Sequence, residues 1–187
     1  ARVSGKPILH VPGKSLSGDW IDGYAEVLLS LARQLDLSGG SPCETKAAVV
    51  GYLFDRNEQD HAANLRELEA MFGAAGLELV SVWLSGSRFC DLHAVRDAGV
   101  IVSLPYGRKA AREIARRTGA RLLEWDLPFG LDATERWVRD LAAISGAQTR
   151  AQEYVDRELS AIVPRLEWVV PFVFQQRSFG YVGDPFL

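Results

Sequence analysis

Val100-Ile-Val-Ser-Leu-Pro-Tyr-Gly-Arg-Lys-Ala-Ala-Arg-Glu-Ile-Ala-Arg-Arg-Thr-Gly-Ala-Arg-Leu-Leu-Glu-Trp125 changes its hydrophobic period twice. It opens as an almost continuous apolar run from Val100 to Leu104, the pattern of a strand buried on both faces. Pro105 has no N–H to give a ladder, so the strand stops there. From Tyr106 the period is helical, with Ala110, Ile114 and Ala115 on one side and Arg108, Arg112 and Arg116 on another. Gly119 suits the left-handed position that ends a helix. Arg121 to Trp125 then reads as a second strand. Strand, helix and strand at this spacing make a βαβ unit, and a right-handed crossover sets its two strands parallel.

Arg108 and Lys109 fall in the first helical turn, where the helix dipole favours anions. A solvated helix face accommodates such charges at a cost of a few tenths of a kcal/mol, about one weak surface interaction. The alternative uses the C-terminal edge of the strand, where open parallel sheets bind ligands. On that reading Tyr106 and Arg108 stand on a pocket rim, and they are the candidate cofactor-binding residues.

The same alternation extends outward. Ala47 to Phe54 is a buried strand, and a helix over about Gln59 to Ala75 places Ala62, Leu65, Leu68, Met71 and Phe72 inward, with Gly76 as its cap. Leu77 to Leu84 is the next strand. A short helix carrying Phe89, Leu92 and Val95 leads back to the opening run. Beyond Trp125, Asp132 and Glu135 have the spacing of a capping box, which predicts a helix start there. A long tract over about Thr149 to Val170 contains Pro164, which predicts a kink or a split. The expected fold is α/β: a small parallel sheet of about four strands with helices on both faces, Rossmann-like or flavodoxin-like.

The ends read differently. Pro7 to His10 is a strand candidate, followed by the connector Val11 to Trp20. Asp19 or Ser17 can cap a helix from about Trp20 to Leu35, whose apolar stripe is Tyr24, Val27, Leu28, Leu31 and Leu35. Leu37 to Thr45 is rich in breakers and reads as a linker. At the far end, Ser178 to Val182 reads as a strand with no helix after it. The expected division is 1–45 as an N-terminal arm from a preceding domain and 46–146 as the Rossmann-like domain. Residues 147–187 form a helical tract with the first strand of a following domain. The absence of an initiator Met agrees with a piece of a longer protein.

Composition narrows the function classes. The chain of 187 residues is 48% hydrophobic and 24% charged, with a net charge of -3, values ordinary for a globular domain. An acidic balance gives no electrostatic footprint for nucleic acid. No apolar run reaches the length of a membrane span and no signal peptide opens the chain, so the default location is cytoplasmic.

Local chemistry is sparse. The turn at Phe54 to Asp60, where a dinucleotide fold places glycines, has none, so neither a GxGxxG nor a Walker loop is present. HExxH and GxSxG are also missing. His10, His61 and His93 are too widely spaced for a metal set. Cys90 reads as a small core residue and Cys43 as an exposed linker thiol. Turn chemistry accounts for Asp55 as well as binding does. No residue is assigned a catalytic or metal-ligating role.

A family pattern emerges from the segments together. Pro12, Gly18, Gly23 and Tyr24 resemble the Pro-x-x-x-Gly…Gly-Tyr passage of nitrogenase component 1-type oxidoreductases. Gly76-Leu77-Glu78 followed by Leu84-Ser-Gly-Ser87 is similar to that family's glycine-leucine, strand, serine-glycine stretch. Pro128, Gly130 and Thr134 resemble its Pro-x-Gly-x-x-x-Thr motif, and Ser178 to Pro185 resembles the strand opening its third domain. The order and spacing of these pieces carry the resemblance, which spans nearly the whole chain.

This resemblance implies a subunit that pairs with a sister subunit and receives electrons from an ATP-driven iron–sulfur reductase. It implies an Fe–S cluster in the full-length protein and none in this stretch, because the family's bridging-cluster cysteines lie upstream of the Pro12 passage. In α-type nitrogenase subunits a cofactor-ligating cysteine follows the strand matching Val100 to Leu104, and Pro105 stands there. The departure favours a β-type, pigment-reductase-type or assembly-scaffold chain. The rival readings are a non-catalytic metallocofactor-assembly scaffold of the same family and a flavodoxin-like small-molecule domain.

Overall fold

The computed structural model describes residues 2–3, 6–13, 18–53, 59–178, 180 and 182. Its centre is the sheet the sequence predicts. Four strands, β3 (Cys43–Val50), β4 (Glu78–Val82), β5 (Ala98–Ser103) and β6 (Arg121–Glu124), pair in the order β4-β3-β5-β6. Every pairing is parallel. β3 and β5 lie inside, in register as Ala48 with Ile101 and Val49 with Val102. Their unbroken apolar runs follow from burial on both faces.

Period-two alternation then sorts the side chains into two cores. Ala47, Val49, Val100 and Val102 face α2 (His61–Ala74), α4 (Leu131–Ser145) and α5 (Gln148–Val169). Ala48, Val50 and Ile101 face α1 (Trp20–Gln34), α3 (Arg108–Thr118) and the 3-10 helix Phe89–Asp97. Helices on both faces of a parallel sheet make this an α/β Rossmann-like fold. No helix among the described residues is long and apolar enough to cross a membrane.

α1 takes its place in the second core through Leu28, Leu31, Ala32 and Leu35. Asp19 and Asp22 form a reciprocal capping box at its start. At its other end Arg117 of α3 donates to the carbonyls of Ala32 and Leu35, the latter at 2.8 Å. A guanidinium there satisfies orphan carbonyls and complements the helix dipole. Tyr24 adds a third tie, its hydroxyl donating to the Tyr52 carbonyl at 2.7 Å.

Several boundaries differ from expectation. β3 starts at Cys43, inside the expected linker, because Cys43 pairs with Ala98 on β5. It ends at Val50, since Gly51 turns the chain at φ +98°. α4 begins at Leu131 with Gly130 as N-cap and no side-chain cap, so the Asp132–Glu135 capping box does not form. Glu135 instead pairs with Arg139 at 2.6 Å.

Pro164 does not split α5, which runs unbroken to Val169 and continues as a π turn over Val170–Phe174. The Ser160 carbonyl, which loses its donor to the proline, lies in an exposed stretch open to solvent. At the N-terminus, β1 (Arg2–Val3) pairs antiparallel with β2 (Lys6–Pro7), and Ile8 to His10 carry no strand. His10 is held by Gln34 instead, through bonds of 3.0 and 2.7 Å to its backbone N–H and carbonyl. The strand expected at Ser178 to Val182 lies largely outside the described residues.

Candidate functional site

The chain reverses its direction across the sheet between β3 and β5, the switch point at which open α/β sheets present a crevice. Backbone fills that point here. A Cβ built on Gly51 would lie 2.5 Å from the Gly107 nitrogen, and one on Gly107 would overlap the Val50 carbonyl. The accessible space lies beside it, at the same C-terminal edge of the sheet. It is a cavity of about 390 Å³ bounded by the end of β3, the start of α2, the loop after β6, and α4 and α5.

The cavity has an apolar floor and an acidic rim. Leu68, Met71, Val138 and Val155 are buried in the first core and line the floor. Leu127 and Phe129, from the loop after β6, and Leu131 at the start of α4 close one side, and Ile162 of α5 closes another. The carboxylates on the lining are Asp60, Glu67, Glu135 and Glu158, and among the described residues no Lys, Arg or His joins them. Glu135 and Glu158 are turned toward Arg139 and Arg157, at 2.6 and 3.0 Å. Among the described residues Asp60 and Glu67 have no ion-pair partner.

Two phenols on the lining are raised, chiefly by burial. Burial pushes the Tyr52 hydroxyl above its ordinary range and Asp60 adds to the shift, against a hydrogen bond with Asn64. Burial likewise raises Tyr154, helped by Glu158 and Glu67. Both effects disfavour a further negative charge.

Tyr106 and Arg108 lie at the C-terminal end of β5, in the turn Pro105–Gly107 and at the first position of α3. Neither lines this cavity. The arginine stripe makes ion pairs with the far end of β6. Arg108 reaches Asp126 at 3.0 Å, and Arg112 grips Glu124 with two bonds of 2.6 and 2.9 Å. The Arg112 guanidinium, by hydrogen bond and then by charge, holds the Glu124 carboxyl below the usual carboxylate range.

A carboxyl depressed in the folded state contributes stability above its unfolded pKa and loses it as pH falls through the lower folded value. Arg112→Gln should therefore bring the Glu124 titration up toward an ordinary glutamate. Carbon-13 NMR of the side-chain carboxyl would read this directly, and an unmoved midpoint would refute it.

The thiols sit otherwise than expected. Cys90 is exposed in the 3-10 helix, its Sγ 3.5 Å from Asp91, because Leu92 and Val95 take the inward positions of that turn. Cys43 is half-buried at the start of β3, where its bond to Thr45 lowers the thiol below its ordinary pKa. His61 and His93 each bond a backbone carbonyl, of Ser85 and Asp36. Among the described residues no three His, Cys, Asp or Glu side chains are grouped to hold a metal. An Fe–S cluster takes a set of thiolates, usually about four, so two thiols on separate elements do not fit one.

Sequence reasoning missed the cavity. Asn64, Glu67, Leu68 and Met71 share one face of α2 at i, i+3, i+4, i+7, and Tyr154 and Glu158 stand one turn apart on α5. Acidic and phenolic residues set within an apolar stripe were the available signal.

Comparison with known proteins places the whole arrangement. The N subunit of the light-independent protochlorophyllide reductase of Roseiflexus castenholzii is 28% identical over 163 residues, which cover 86% of this chain and 37% of that protein. The N subunit from Chloroflexus aurantiacus is 30% identical over 148 residues, 79% of this chain and 31% of the relative. The B subunit of the same reductase, from Acidiphilium rubrum, is 26% identical over 155 residues, again 79% of this chain and 30% of the relative. The chain thus spans about a third of the length of these curated relatives. The profile of the nitrogenase component 1 type oxidoreductases matches residues 1–186, and the chain belongs to that family.

Proposed function

We propose that the chain is the middle, framework domain of a reductase subunit that pairs with a sister subunit of the same family. In this reading residues 46–146 are the domain proper, 1–45 lead in from a preceding domain and 147–187 lead out to a following one. Tyr106 and Arg108, at the C-terminal edge of the sheet, form part of a ligand or cofactor rim in the assembled protein. Electrons reach the assembled protein from an ATP-dependent iron–sulfur partner, and the clusters are held by other parts of the subunits.

The observation that carries the proposal is the far end of α5 and the π turn that follows it. Ile162, Val163, Leu166, Trp168, Val170, Phe172 and Val173 are all exposed there, Trp168 at 63% and Phe172 at 79%. Large apolar side chains exposed together along one stretch are characteristic of an interaction site, and large aromatic residues are the usual anchors of such contacts. Relatives drawn from two different subunits of one reductase support a sister chain as the partner.

The test is co-expression of the full-length protein with a sister subunit, followed by affinity capture and light scattering. A stable hetero-oligomer is expected, weakened at least about tenfold by Trp168→Glu, the size of effect that anchors give. Iron and sulfide analysis of the 187-residue chain alone should find no stoichiometric cluster. A protein that stays monomeric in the presence of its sister, or a cluster lost on Cys43→Ser, would overturn the proposal.

A further inference from the structure

We propose that the cavity between α2, α4 and α5 is a binding site for a small hydrophobic organic cation, of the aromatic ammonium type. The inference goes beyond the framework role and does not depend on the partner proposed above.

Size comes first. A volume of about 390 Å³ lies within the range of small-molecule sites, roughly 300–1,000 Å³. The floor of Leu68, Met71, Val138 and Val155 is apolar and offers no hydrogen-bonding side chain, so the buried part of a ligand must be hydrocarbon or aromatic. Met71 suits a ring, because its thioether is polarizable and adapts to an aromatic edge.

Charge decides the polar end. Among the described residues the lining carries four carboxylates, Asp60, Glu67, Glu135 and Glu158, and no cationic side chain. The last two are neutralised by Arg139 and Arg157. Asp60 and Glu67 have no such partner among the described residues. Both belong to α2 or its N-cap and are exposed at the mouth of the cavity, so a ring seated on the apolar floor leaves its charged end facing the acidic rim. An anion would meet uncompensated like charge over a hydrocarbon surface, and a neutral ring would gain only the floor. The Tyr52 ring on the lining adds a face over which an ammonium is attracted, whereas the Tyr154 ring already holds the Arg157 guanidinium 5.1 Å from its centre. Burial chiefly raises both phenols, and the carboxylates beside them add to the shift.

The test uses three shape-matched probes: 1-naphthylmethylammonium, 1-naphthalenemethanol and 1-naphthaleneacetate. Each is titrated into the chain by fluorescence and by calorimetry at low salt. The cation should bind saturably and about tenfold more tightly than the alcohol, as attraction to the acidic rim implies, and the acetate should not bind over the same range. Asp60→Asn with Glu67→Gln keeps the side-chain shapes and should bring the cation to the affinity of the alcohol, leaving the alcohol unchanged. Leu159→Trp, which fills the space from α5, should abolish both, with thermal melting confirming that each variant folds.

Equal affinity for the three probes would overturn the inference. So would a cation preference that survives the double substitution, or no saturable binding of the cation at all.

Discussion

Gly107→Ala is expected to destabilise the fold by about 3 kcal/mol or more, at the upper end of what overpacking costs. The added methyl would overlap the carbonyl oxygen of Val50 and lie 2.6 Å from the Cα of Gly51. Both are backbone atoms of the central strand and its exit, so no side-chain rotamer can relieve the overlap. The displacement would separate the ends of β3 and β5, where the Leu104 N–H bonds the Val50 carbonyl at 2.9 Å. Gly51 meets Gly107 from the other side at φ +98°, so the pair lets two chain segments touch where a side chain would hold them apart.

Gly23→Ala is the matched control. Gly23 is exposed within α1 and a Cβ there meets nothing within 4 Å, so the change should stabilise by roughly 0.5–1 kcal/mol through helix propensity. Urea denaturation of both variants beside the parent checks the contrast. Equal stabilities would show that the β3–β5 crevice is not closed by backbone contact.

The second large effect is expected at Trp83. It is fully buried in the core under α1 and α3, and its indole N–H donates to the Leu92 carbonyl at 3.0 Å. Trp83→Ala opens a cavity and leaves that carbonyl without its donor, for a loss of about 3–5 kcal/mol. Trp83→Phe retains much of the volume and removes the N–H, so it should lose about half as much or less. The comparison separates packing from hydrogen bonding. The 3-10 helix Phe89–Asp97 should show the larger rise in amide exchange, since the indole is what ties it to the sheet. A Phe variant as unstable as the Ala variant would assign the whole effect to the hydrogen bond and contradict the packing account.

The strands, the parallel sheet and the helices on its two faces were legible from period alone. Buried strands such as Val100 to Leu104 and amphipathic helices such as α3 carry their burial in the order of their side chains. Gly119 at φ +78° ended α3 as read, because local backbone geometry needs no distant partner. The family was legible as well, since its signature lies in turn residues at fixed spacings along the chain.

Whatever depends on residues far apart in sequence was decided by the tertiary structure. Cys43 joined a strand because β5 offered it a partner, and Arg117 became the cap of α1 because α3 packs beside that helix end. The Asp132–Glu135 box gave way to a Glu135–Arg139 pair once Gly130 set the start of α4. The cavity is the extreme case. Its wall joins Tyr52, Glu67, Leu131 and Tyr154, from four separate segments, and the acidic and phenolic residues on the α2 and α5 stripes become one site only where those segments meet. Hydrophobic period is a property of neighbours along the chain, whereas a binding site is a property of neighbours in space, and only the packing of α2, α4 and α5 brought these residues within reach of one ligand.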